Sequence, residues 1–216
     1  MKLGRLSRAL VTTVVGALLA STLVAADAGA RDNQHQQQAQ YRWDIVSLDA
    51  TAKTVSAGGK AMATAQDGAS ITLSGQGTFQ ADRRAGNRQV TGGGTWSTTS
   101  ETGAVTGAGT YRVTSFVDFA VAPGAAAAGL TDLIAAPSTA RAGLLHVTIR
   151  YSNGTSGVLV VSCHIPGPPA APESIFEGVR ASMGFVDFWN GVQPAPPPSN
   201  INRTLFHLLG SDTDSD

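Results

Sequence analysis

Apolar side chains in this chain recur mostly at every second position, in short runs separated by turn residues. Tyr41, Trp43 and Ile45 alternate with polar neighbours in the segment Tyr41–Leu48. A period of two marks a strand with one buried face, because successive side chains leave opposite faces of the backbone. The same reading predicts strands over 61–65, 70–79, 90–98, 105–121, 144–151, 157–164 and 201–209. Turn residues stand between them. Asp67-Gly68 separates the second and third runs, and Ser100-Glu101-Thr102-Gly103 the fourth and fifth. Ser152-Asn153-Gly154-Thr155 follows Tyr151, and Asn-Gly between β-branched runs predicts a hairpin with a type I′ turn.

Prolines and alanines mark the breaks. Pro123 to Pro137 enclose an insertion rich in Ala and Gly, where residues 129–136 predict a short helix. Pro166, Pro168, Pro169 and Pro172 end the strand before them, and Pro194, Pro196, Pro197 and Pro198 predict a stiff polyproline link before the last strand. Neither side of these breaks holds enough strands for a second core, so they read as loops of one domain. The expected fold class is all-β: a single antiparallel barrel, or a strongly coiled sheet, of about eight strands with a short helix in the Ala-rich insertion.

One local repeat sharpens this. Gly75-Gln76-Gly77-Thr78-Phe79, Gly92-Gly93-Gly94-Thr95-Trp96 and Gly107-Ala108-Gly109-Thr110-Tyr111 share the pattern Gly-x-Gly-Thr-aromatic, 17 and 15 residues apart. Glycine weakens a strand interior, so matched glycines in three strands point to a common demand, such as the sharp coiling that closes a barrel. A phosphate cradle is the rival, but no helical pattern follows any of the three. Gly94-Thr95-Trp96, Gly103, Thr106-Gly107 and Gly109-Thr110-Tyr111 together resemble the early strands of small secreted up-and-down barrels, the avidin-like and lipocalin-like proteins. The resemblance spans under twenty residues and implies a barrel with an apolar mouth. Allene-oxide-cyclase-like and dirigent-like barrels are similarly comparable.

Residues 1–30 predict a signal peptide. Lys2, Arg5 and Arg8 precede an apolar run from Ala9 to Leu23, and small residues with alanines at Ala26, Ala28 and Ala30 follow. That run is too short and too rich in Thr to span a bilayer. The glutamine-rich stretch 31–40 reads as a disordered polar leader, 41–210 as the barrel domain, and 211–216 as an acidic disordered tail. The expected location is secreted or periplasmic, with no stable membrane insertion after cleavage.

The chain has fifteen basic and fifteen acidic side chains, so it lacks the electrostatic footprint of a nucleic-acid binder. Arg83, Arg84 and Arg88 read as a solvated turn. The single cysteine, Cys163, rules out an intrachain disulfide. It shares a strand face with Leu159 and Val161, which predicts a small buried hydrophobe, while adjacent His164 points the other way. His146, His164 and His207 lack the close spacing of metal ligands, so neither metal nor cofactor is expected.

Two kinds of candidate remain. Phe116-Val117-Asp118-Phe119 recurs as Phe185-Val186-Asp187-Phe188. A carboxylate among large apolar groups gains pKa by desolvation, so Asp118, Asp187 and Glu177 are the candidate catalytic bases. Glu173 and Glu177 near Arg180 read as a short helical turn with ion pairs. Trp43, Trp96, Tyr111, Phe116, Phe185 and Trp189 are the candidate ligand-binding residues. The first functional expectation is a secreted binding module for a small apolar or amphipathic ligand. The alternatives are an exported surface or structural protein, and a cofactor-free isomerase or cyclase using a buried carboxylate. Asn153-Gly154-Thr155 and Asn202-Arg203-Thr204 fit the glycosylation sequon.

Overall fold

The structure, a computed structural model, describes residues 39–81, 90–124, 129–165, 171–195 and 200–210. The expected leader, the arginine turn, most of the proline-rich stretches and the acidic tail lie outside the described residues. Among the described residues fourteen strands follow in chain order: β1 (Gln40–Asp49), β2 (Thr54–Ala57), β3 (Ala61–Thr64), β4 (Ser70–Leu73), β5 (Gln76–Gln80), β6 (Gly93–Thr99), β7 (Val105–Ala122), β8 (Thr131–Asp132), β9 (Ala140–Tyr151), β10 (Ser156–Cys163), β11 (Gly178–Met183), β12 (Val186–Phe188), β13 (Asn190–Gly191) and β14 (Thr204–Gly210).

Six of these close an antiparallel barrel, in the ring order β9, β14, β1, β5, β6, β7 and back to β9. The others lie outside it. β10, β11 and β12 continue from β9, and β4, β3 and β13 continue from β6. Only Trp189 separates β12 from β13, so the chain itself bridges the two outer edges. Closure removes the unpaired edges that an open sheet of this length would expose.

Three hairpins use one turn design. Ala65, Ser100 and Tyr151 each donate N–H to the carbonyl four residues on, and each accepts from the N–H of the glycine three residues on. Those glycines, Gly68, Gly103 and Gly154, have φ of +82°, +83° and +89°. Asn153 does not share the positive φ, so the predicted type I′ turn is instead a longer loop with one left-handed glycine. Asp67 and Asn153 stiffen two of the loops, each accepting the N–H two residues on at 3.0 Å.

The repeated glycines mark close crossings. A Cβ on Gly94 would collide with the Ser74 carbonyl, and one on Gly77 with the Thr91 carbonyl. The rings that cover bare backbone come from neighbouring strands: Trp43 lies against Gly77 and Gly92, and Trp96 against Gly107 and Gly109.

The barrel interior is packed. Tyr41, Phe79, Phe116, Phe119 and Phe206 form one set of ring contacts, and Trp96, Tyr111 and Tyr151 another. Tyr111 and Tyr151 are buried because their hydroxyls donate to the carbonyls of Ser74 (3.0 Å) and Ser182 (2.9 Å). Burial pushes both phenols well above their ordinary range.

The Ala-rich insertion departs from expectation. Residues 129–136 form no helix. Instead β8 pairs in parallel with β2, and the only helical turn among the described residues is a 3-10 turn at Pro137–Thr139. Thr131 N donates to the Lys53 carbonyl and Leu133 N to that of Val55, so an available sheet edge took hydrogen bonds that a free helix would have kept local.

Candidate functional site

With the barrel interior filled, open space lies on its outer face. Along β1 the residues facing the aromatic core alternate with Arg42, Asp44, Val46 and Leu48. Across the β1–β14 ladder Arg42 stands opposite His207, and Asp44 opposite Leu205. This outer face is roofed by the insertion. Asp132 bonds His207 through Oδ2–Nε2 at 2.8 Å, while its Oδ1 accepts from Ile134 N at 2.8 Å. His207 is fully buried, and its Nδ1 has no hydrogen-bond partner among the described residues.

Under that roof is a cavity of about 280 Å³. Its wall is mainly apolar: Val46, Leu48 and Val55 from β1 and β2, Leu130 and Pro137 from the insertion, and Ile165 and Leu205 opposite. Its polar members are Asp132, Cys163, His164, Glu177, Arg203 and Thr204. A second cavity of about 330 Å³ shares His164, Glu177 and Pro194 with the first, and adds Arg180 and the turn 173–176.

Glu177 occupies a fork in the sheet. β10 pairs with β9 as far as Cys163–Gly143, and β14 takes over the same edge of β9 at Phe206–Arg141 and His207–Ala140. Where the two strands part, His164 N and Thr204 N each donate to the Glu177 carboxylate at 2.5 Å, and the Thr204 hydroxyl lies 3.2 Å from it. Desolvation pushes the Glu177 carboxyl up to about 7, although these donors and the nearby Arg203 charge pull it down.

Burial also raises the Cys163 thiol well above its ordinary range, with the Glu177 charge adding to the effect. It is a packed side chain, 1% exposed, as expected, although Val160 and Ser162 on the other face of β10 are buried too. His164 offers its ring Nε2 to the Ala171 carbonyl at 3.2 Å. Among the described residues, no three His, Cys, Asp or Glu side chains meet as metal ligands would.

The sequence-derived candidates scatter. Trp43, Trp96 and Tyr111 are buried in the core, and the Trp43 indole N–H meets no acceptor among the described residues. Phe116 is partly buried against Phe79. Phe185 is fully exposed at a turn and Trp189 partly exposed beyond it. None of the six lines either cavity. Asp187 is exposed on β12, and Asp118 on β7 accepts the N–H of Phe119 at 2.9 Å. Glu177 is the one candidate base that lines a cavity. The helical turn expected around it is irregular, and Arg180 stacks over the Phe176 ring at 4.1 Å rather than pairing with Glu177.

Sequence reasoning missed Asp132, Arg203 and the β1–β14 outer face. Asn202-Arg203-Thr204 reads as a sequon, but Asn202 is fully buried. Its side chain accepts from Met62 N and donates to the Val192 carbonyl, which fixes Arg203 beside the cavity. Comparison with known protein families, with curated proteins and with solved structures finds no match.

Proposed function

We propose that this chain is an exported binding module that holds a small apolar or amphipathic molecule in the outer-face cavity. The observation that carries the reading is that cavity: about 280 Å³, mostly apolar in its wall, with a few polar side chains. Small-molecule sites have this character: apolar surface for affinity and a few placed polar groups for orientation. Export rests on the leader pattern in residues 1–30.

The test is native mass spectrometry of protein purified from its own source, beside Leu205→Trp, whose larger side chain fills the cavity. A small bound mass on the wild-type protein that Leu205→Trp lacks supports the reading. Wild-type protein without any bound mass, and blind to added amphiphiles, defeats it.

A second reading has one specific observation behind it. Glu177 walls both cavities and titrates near neutrality, as a general base for proton shuffling would. Both its oxygens already accept protein N–H groups, so binding ranks above catalysis. A role through the exterior would use the exposed Phe185, Val186 and Trp189.

A further inference from the structure

The binding reading leaves open what controls the hold on a guest, and Glu177 bears on that. It stands where β10 and β14 part, and both cavities touch it. Glu177 is partly buried, unlike Asp44 and His207, which are fully buried. Its carboxylate accepts from the backbone N–H groups of His164 and Thr204, and among the described residues no cationic side chain bonds it. A carboxylate held in an apolar wall by neutral donors alone depends on nearby water for the rest of its stabilisation. An apolar guest displaces that water. The charged form loses more by this than the neutral form, so the guest favours the proton.

The Arg203 charge pulls the other way, because a drier cavity strengthens its attraction for the carboxylate. Desolvation is the largest influence on the Glu177 carboxyl and the Arg203 charge the smallest, so desolvation sets the sign.

The other ionisable groups around Glu177 differ from it in sign, range or partner. Cys163, beside it on β10, is pushed well above the ordinary thiol range by burial. His164 lines both cavities, and an apolar guest favours its neutral ring, which releases a proton instead of taking one up. Asp132, across the first cavity, is bonded to His207. In the second cavity Glu173 is exposed, and Arg180, stacked over Phe176, keeps its charge at every working pH.

We propose, resting on the binding reading above, that the outer-face cavity is a proton-coupled site: an uncharged apolar guest enters together with a proton on Glu177, so the protein holds the guest in acid and lets it go above neutrality. The proton comes from the buffer and returns to it on release. Each unit that the guest adds to the Glu177 pKa is tenfold in affinity between the two protonation states. The carboxyl already titrates at about 7, so a further unit falls within a readable range.

The experiment is calorimetric titration of the purified chain with octan-1-ol at pH 5.5 and 8.5, with folding at each pH checked by circular dichroism. A third titration at pH 7.5, in buffers of different ionisation enthalpy, counts the protons exchanged. Octan-1-ol has no titrating group, so any pH dependence belongs to the protein. Binding is expected to be about tenfold tighter at pH 5.5 for a one-unit rise, with uptake of about half a proton per guest at pH 7.5. Glu177→Gln is expected to bind equally at both pH values without uptake, while His164→Gln keeps both effects. Should Glu177→Gln fail to fold, the wild-type protein and His164→Gln decide by the sign of the exchange. Equal or weaker binding at pH 5.5, proton release, or a coupling that survives Glu177→Gln overturns the inference while the cavity reading stands. No binding at any pH overturns both.

Discussion

Glu177 is the residue whose burial has the widest consequences. Its carboxyl titrates at about 7 in the folded chain against 4.5 when solvated. Between those values the folded state binds the proton that the unfolded state has released, so stability falls as pH rises through this window. The contribution is complete below about 4.5 and lost above about 7, and is on the order of 3 kcal/mol. The urea midpoint is therefore expected to be higher at pH 5 than at pH 8. Glu177→Gln should flatten that difference, and a wild-type midpoint that rises between those pH values would refute the assignment. Cys163 gives a second residue-scale expectation. Its buried, proton-retaining thiol should stay silent to thiol reagents in the native protein and react fully in denaturant; reaction at native pH 7 within minutes would show that the β10 end opens. The apolar run Val158–Val161 leading into Cys163 makes its burial legible in sequence. The environment of Glu177 is not legible, because its donors come from positions 13 residues before it and 27 after it.

Elements obey local rules where their hydrogen bonds are local. The hairpins after β3, β6 and β9 are readable because a glycine and a short polar residue stand in each loop. Their glycines have positive φ, so Gly154→Ala should cost about 1 kcal/mol in stability. Gly94→Ala tests a different constraint. Its methyl group would strike the Ser74 backbone, so it should cost more, about 3 kcal/mol, in the same denaturation assay. Equal costs would mean that the strands can shift apart without penalty. Asn153 shows the limit of the local rule. Asn-Gly tolerates a type I′ turn, but the five residues between the ladder partners Arg150 and Ser156 favour a longer loop with one left-handed position. The insertion shows the opposite case: alanines permit a helix, and the neighbouring edge of β2 captures Thr131 and Asp132 as a strand.

At the scale of the molecule, the aromatic rings and the candidate site have separated. Rings such as Trp96, Tyr111 and Tyr151 fill the space that closure creates, so Trp96→Ala should cost about 4 kcal/mol, measured by urea denaturation. A loss under 1 kcal/mol would mean that the barrel interior is not close-packed. The candidate site instead occupies the outer face, beneath an insertion tied down by Asp132–His207. The sequence by itself determined the curled all-β class, the six barrel strands with β3, β4 and β10 (β4 and β5 as one run), the three hairpins and the burial of Cys163, because period-two alternation, turn glycines and the Gly-x-Gly-Thr-aromatic repeat act over a few residues. The short strands β2, β8, β11, β12 and β13, which raise the expected eight or so to fourteen among the described residues, were not legible in it. The closure into six strands, the fate of the insertion and the meeting of Glu177, Asp132 and Arg203 were decided only by tertiary structure. Those features depend on which strand edges find each other, and edge pairing between distant segments leaves no mark in local spacing.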